Sequence, residues 1–145
     1  MNEQLMLNVY QTLRQAGNDI KKDLKNRLAE SGITWPQFHA LYHIGEEGIA
    51  ANELAKELNC NASNMTGLID RMMENNWVYR ERCEQDRRIW LIKLTEEGMK
   101  VRSKLIPEHN RNIIDRMSVL DDEELKTLKN LLEKLLQYET GEKEK

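Results

Sequence analysis

The chain is poor in aromatic residues, cysteine and proline. Aromatics make up 6% of its 145 residues, with a single phenylalanine, two cysteines and two prolines. Charged residues, by contrast, make up 32%. With leucine, methionine and isoleucine as the main apolar residues, that balance points to a mostly helical protein. Cys60 and Cys83 form no disulfide framework and fit a reducing cytoplasm. No apolar run approaches the roughly 20 residues a membrane-spanning helix needs, so no membrane partner is expected. The opening Met-Asn-Glu-Gln-Leu lacks the basic run and cleavage site of a secretory signal, which again implies a cytoplasmic protein. Catalytic patterns are missing as well: no Gly-rich phosphate loop, no nucleophile elbow and no complete metal triad. The three histidines have no evident Cys or Ser partner. The sequence therefore reads as a non-enzyme without a cofactor and with no assigned metal.

The hydrophobic fraction of 39% is enough for one core, so one folding unit per protomer is expected. No repeat or long linker divides the chain. Leu13, Ala16, Ile20, Leu24 and Leu28 recur at helical steps and predict a helix over about residues 4–29, ended by Gly32. Thr34-Trp35-Pro36-Gln37 is a helix start: Thr34 can cap, Pro36 sits in the first turn, and Gln37 completes a capping box. A third helix covers about Asn52–Leu58, behind the poor cap Ala50.

The segment from Asn61 to Gly98 carries the most information. Asn61 can cap a fourth helix over about Ala62–Asn75, with Met65, Leu68, Ile69 and Met72 as its buried stripe. Ser63, Asn64, Thr66, Gly67, Asp70 and Arg71 are left on its outer face. Asn76 can take the left-handed conformation that closes a helix. Strands over Trp77–Arg82 and Ile89–Leu94 flank a polar turn carrying Asp86-Arg87-Arg88. A helix beside a two-stranded ribbon tipped with arginines can place the helix in a major groove of DNA and the ribbon in a neighbouring minor groove. The net charge of −3 argues mildly against this, but its distribution does not. Arg80–Lys104 holds eight Lys or Arg against five Asp or Glu, whereas Ser118–Lys145 holds five against eight.

Thr95-Glu96-Glu97 opens a long fifth helix, which Pro107 should kink near Ser103–Leu105. Asp121 and Glu124 form a second capping box before Leu125, Leu128, Leu131, Leu132, Leu135 and Leu136. These leucines cover too wide an arc for one intramolecular contact. The reading is a two-fold homodimer joined through the first, fifth and sixth helices.

Taken together, these segments resemble the MarR family of bacterial winged-helix transcription regulators. The resemblance rests on Ile33-Thr34-x-x-Gln37-Phe38-x-x-Leu41, Glu53-Leu54-Ala55-x-x-Leu58 and Ile69-Asp70-Arg71, followed by Arg80, Asp86-Arg87-Arg88 and Leu94-Thr95-x-x-Gly98. It implies a mostly α fold, an α+β winged helix-turn-helix of six helices plus a two-stranded β-wing. Residues 1–32 and 100–139 would be dimerisation helices, 33–99 the winged helix and 140–145 a disordered tail. The implied function is a homodimeric regulator, a repressor released by a small ligand, that binds double-stranded DNA at a pseudo-palindrome. The alternative is a winged-helix module that binds protein and not DNA.

The expected DNA-facing set is Asn61, Ser63, Asn64, Thr66, Arg80, Arg82, Asp86, Arg87 and Arg88. By resemblance Arg80 stands at the base of the wing, Asp86 orients the turn, Arg88 enters the minor groove and Arg87 meets phosphate. Gly67 departs from the family, many members of which carry a long side chain there. Arg71 is expected to pair within the protein.

The resemblance also suggests a phenolic effector between the winged unit and the dimer helices, lined by Trp35, Phe38, His39 and Tyr42. His39 and His43 lie four apart, as metal-ligand pairs do. His39, Glu108 and His109 resemble part of a zinc-sensing arrangement, but Phe38 and Ile113 stand where further ligands would be wanted. Cys83, among the wing arginines, is the candidate redox thiol. Oxidant-sensing relatives instead use a cysteine near the start of the first helix, where this chain has none.

Overall fold

The computed structural model describes residues 1–138, so the expected tail at 140–145 lies outside the described residues. In chain order the elements are α1 (Glu3–Glu30), α2 (Trp35–Ile44), β1 (Ile49–Ala50), α3 (Ala51–Glu57), α4 (Ala62–Glu74), β2 (Val78–Arg82), β3 (Trp90–Leu94), α5 (Glu96–Met117) and α6 (Asp122–Leu136). They cluster into two compact units, Met1–Asn112 and a second that begins at Ile113. None of the described helices is long and apolar enough to cross a membrane.

The first unit shows how local chemistry sets the element boundaries. Asn2 caps α1, and Gly32 closes it at φ 78°, with the Ile33 N–H donating to the Leu28 carbonyl at 3.3 Å. Thr34 and Gln37 form the expected capping box on α2. Ala50 gives α3 no side-chain cap, also as expected. Asn61 Oδ1 accepts from the Asn64 N–H at 2.8 Å and caps α4. Asn59 and Asn76 take positive φ, 50° and 61°, directly after α3 and α4. Each stands where glycine is usual, and each lets the chain leave its helix sharply.

Leu41, Ile44, Leu54, Ile69, Met72 and Ile92 are the largest fully buried side chains. Each contributes about 1.5–3 kcal/mol through loss of contact with water. The predicted stripe of α4 is all buried: Met65, Leu68, Ile69 and Met72. That burial fixes the rotation of α4 and turns its polar face outward.

The sheet has three strands, in the order β1-β3-β2, where the sequence suggested two. Ile49 pairs with Ile92 and Ala50 with Leu91, antiparallel. A two-residue strand is too short to show alternation, so the sequence pattern could not reveal it. The wing proper is the β2–β3 hairpin, with Val78 opposite Leu94, Arg80 opposite Ile92 and Arg82 opposite Trp90.

Thr95 ties the wing to α5. Its hydroxyl donates to the Asn76 carbonyl at 2.6 Å and accepts from the Gly98 N–H at 2.9 Å. Gly98 packs so closely that a Cβ there would collide with the Trp77 carbonyl. Arg102 donates to the carbonyls of Leu41 (2.9 Å) and Tyr42 (3.0 Å), supplying partners to the last turn of α2. Pro107, where a kink was expected, lies inside α5, which continues to Met117. The proline removes one backbone donor, and the turns on either side carry the helix past it.

The second unit holds the end of α5 and all of α6. Asp121 and Glu124 form the predicted capping box. No residue of α6 is buried, and Leu136 is 84% exposed.

Candidate nucleic-acid interface

The outer face of α4 and the β2–β3 hairpin are built as one body. Arg80, in β2, donates from Nη2 to Asp70 Oδ1 of α4 at 3.0 Å. Arg80 is thus occupied in joining helix to wing. Ser63, Asn64 and Thr66 are exposed on the first turns of α4, and Asn61 caps them. The Thr66 hydroxyl donates back to the Ala62 carbonyl at 2.9 Å, which leaves its lone pairs outward. An Asn amide can make two hydrogen bonds to an adenine edge, whereas hydroxyls discriminate less well.

The hairpin tip is ordered by its own side chains. The Asp86 carboxylate accepts three bonds from Arg88: from the backbone N–H at 3.1 Å, Nε at 3.0 Å and Nη2 at 3.0 Å. The Arg88 side-chain bond, then its backbone bond, pull the Asp86 carboxyl below its usual range. The same pair raises the Arg88 guanidinium. Asp86 therefore holds Arg88 out from the protein, with the Arg88 side chain 90% exposed. The Cys83 N–H donates to the Ile89 carbonyl and the Ile89 N–H to the Asp86 carbonyl, each at 3.0 Å, closing the loop. Arg87 is exposed, and its carbonyl accepts from Arg82 Nη1. Arg82 also stacks on Trp90, its Cζ 4.1 Å from the ring centroid.

Beside this face lies a cleft of about 830 Å³. Lys21 of α1 lines it, with Trp35, His39 and His43 of α2 and Ser63, Asn64, Gly67 and Arg71 of α4. Two of the four residues expected to hold a ligand, Trp35 and His39, lie on its wall. Phe38 is buried in the core, and Tyr42 is exposed elsewhere, its ring 6.0 Å from Arg102 Cζ. Gly67 leaves room for Arg71, whose Nη1 would lie 3.4 Å from a Cβ at that position. The sequence expected Arg71 to pair within the protein; it reaches along the cleft wall.

Burial lowers the pKa of His39, with further contributions from His109, His43 and Lys21. Burial alone lowers His109. His39 Nε2 and His109 Nδ1 are buried without hydrogen-bond partners. Glu108 accepts from the Ser31 hydroxyl at 2.8 Å. The described residues contain no group of three or more His, Cys, Asp or Glu placed to hold a metal ion. Cys83 Sγ lies 3.2 Å from Gln85 Oε1.

Residues 33–90 match the MarR family. The uncharacterized HTH-type transcriptional regulator YpoP of Bacillus subtilis is 30% identical over 133 residues, covering 91% of this chain and 94% of that protein. The chain belongs to the MarR family. Among solved structures, the MarR family transcriptional regulator AbsC from Streptomyces coelicolor superposes with a TM-score of 0.80 at 26% identity, over 90% of this chain and 91% of AbsC. A mutant of MarR from E. coli, complexed with operator DNA, superposes with a TM-score of 0.77 at 25% identity, over 94% and 99% of the two chains. This MarR family chain thus has the winged-helix fold of transcriptional regulators. Gly67, the cleft beside α4 and the Arg82–Trp90 pair lie on or next to its outer face.

Proposed function

We propose that this chain acts as a homodimeric, sequence-specific DNA-binding regulator of transcription. Helix α4 enters a major groove, and the wing enters the adjacent minor groove. Ser63, Asn64 and Thr66 face base edges, Arg88 enters the minor groove and Arg87 meets phosphate. A narrow minor groove concentrates negative potential and attracts an inserted guanidinium. The observation that carries the reading is the double tether. Asp70–Arg80 fixes wing to helix, and Asp86–Arg88 fixes the guanidinium to the wing. The MarR–operator complex, similar in fold, supports duplex DNA as the partner.

Exposed apolar residues support the dimer. On α1 they include Leu5, Leu7 and Tyr10, and on α6 Leu131, Leu135 and Leu136. Apolar exposure of this kind on each of these helices calls for a partner surface, and a second copy provides one by symmetry. The dimer partition, with 1–32 and 100–139 as dimerisation helices around 33–99, follows from this. The relatives are regulators, which supports binding and not catalysis as the activity. A cytoplasmic location goes with that role.

Release of repression by a small phenolic ligand is the finer part of the proposal. The cleft offers Lys21, Arg71 and two imidazoles around the Trp35 ring, with the Glu57 carboxylate 3.8 Å from His43 Nδ1, a setting suited to a planar, weakly acidic ligand held at the Lys21 and Arg71 side. Because Ser63 and Asn64 line it too, a bound ligand would alter the face that reads DNA.

A gel shift tests the core of the proposal, using a duplex that the wild-type protein enriches from random sequences. Arg88→Ala should weaken binding about tenfold and lower the salt dependence by about one released ion. Undiminished affinity would remove the wing from the interface.

A further inference from the structure

The hydrogen bonds within the wing tip give the loop its shape, but they do not fix its direction relative to the strands. Cys83 to Ile89, Ile89 to Asp86 and Arg88 to Asp86 all close within the loop or at its base. Among the described residues, only Arg82 reaches from the end of β2 to the loop's crown, donating to the carbonyl of Arg87. A guanidinium on a long flexible stem does not hold one position unaided. Arg82 is held because its cross-strand partner is Trp90, and its Cζ lies over that indole. Cation–π stacking favours this geometry, and the donors at the rim stay free for the carbonyl.

Trp90 is otherwise unexplained. It is 41% exposed, at the outer end of the hairpin face on which Val78, Leu94 and Ile92 are buried further in. A large aromatic ring exposed on a polar hairpin must have a role other than filling the interior. No carboxylate pairs with Arg82 among the described contacts. The stacked indole and the loop carbonyl take up its guanidinium.

We propose that Trp90, acting through the Arg82 guanidinium stacked upon it, positions the Arg87–Arg88 tip of the wing for entry into DNA. Arg82 is then a positioning residue and not a DNA contact, which revises the expectation drawn from sequence. The inference rests on the DNA-binding reading above.

Footprinting of full-length protein on the enriched duplex tests it. Hydroxyl radicals report minor-groove protection under the wing, and guanine methylation reports major-groove protection under α4. Wild type should give both. Trp90→Ala should lose the minor-groove protection, keep the major-groove protection, and bind roughly fivefold more weakly. Trp90→Phe should restore the pattern, because a smaller ring still stacks. Arg82→Gln should reproduce Trp90→Ala, although the two remove different groups. In DNA-free protein, the Arg82 Nε–H resonance should show a ring-current shift that Trp90→Ala abolishes.

A full wild-type footprint from Trp90→Ala or Arg82→Gln overturns the proposal. So does failure of Trp90→Phe to improve on Trp90→Ala, which would mean a direct contact by the indole. Absence of any protection by wild type sinks the DNA-binding reading and this proposal with it, a result distinct from the others.

Discussion

At the scale of single residues, the fold depends on a few positions where one atom decides. Gly98 is the clearest. Its amide is capped by Thr95, and any Cβ would strike the Trp77 carbonyl, which is itself fixed by the Thr95 N–H at 2.9 Å. Gly98→Ala should therefore push the start of α5 from the wing. The expected cost is about 2–3 kcal/mol, seen as a fall of about 5–10 °C in the melting temperature. His39 and His109 give a second residue-scale prediction. Burial holds both rings neutral below the ordinary imidazole value of about 6.5. The unfolded chain takes up protons at that ordinary value, so it binds more of them just below it. Stability is then full above about pH 6.5 and falls as the pH drops through the window beneath. Thermal melts between pH 7.5 and 5.5 should show this loss. A His39→Gln/His109→Gln variant should show a shallower one.

At the scale of elements, capping chemistry accounts for what the sequence revealed. Thr34–Gln37, Asn61 and Asp121–Glu124 marked helix starts because a side-chain acceptor at the cap leaves a local signature. The stripe of α4 was legible for the same reason: its period is short-range. The β1 strand was not, because its two residues derive their conformation from β3, distant in sequence. The site was legible in part. Asp86–Arg88 lie within one turn and announce themselves. The tie between Arg80 and Asp70, the reach of Arg71 over Gly67 and the stacking of Arg82 on Trp90 depend on how separate segments meet. Phe38 and Tyr42 share a helix with Trp35 and His39, but the helix rotation turns one into the core and the other outward. If the cap sets the first turn of α4, Asn61→Ala should cost about 1 kcal/mol. The Asn64 amide should then exchange with solvent about fivefold faster. Asn61→Asp should preserve protection; unchanged exchange in Asn61→Ala would refute the role of the cap.

At the scale of the whole molecule, the proposed dimer draws on apolar residues exposed on α1 and, separately, on α6, and on a wing tied to α4 by Arg80 and Asp70. In the proposed dimer the terminal helices would pair two chains, each presenting one reading head. Charge follows that division, with basic residues gathered around the wing and acidic ones toward the C-terminal end. A dimer of two-fold symmetry reads two half-sites related by the same symmetry, so the preferred DNA should be an inverted repeat. Sedimentation of the wild-type chain, titrated onto the duplex it enriches from random sequences, tests this most directly. The account predicts saturation at two chains per duplex, on a sequence carrying an inverted repeat. One chain per duplex, or an enriched sequence without a repeat, would contradict it.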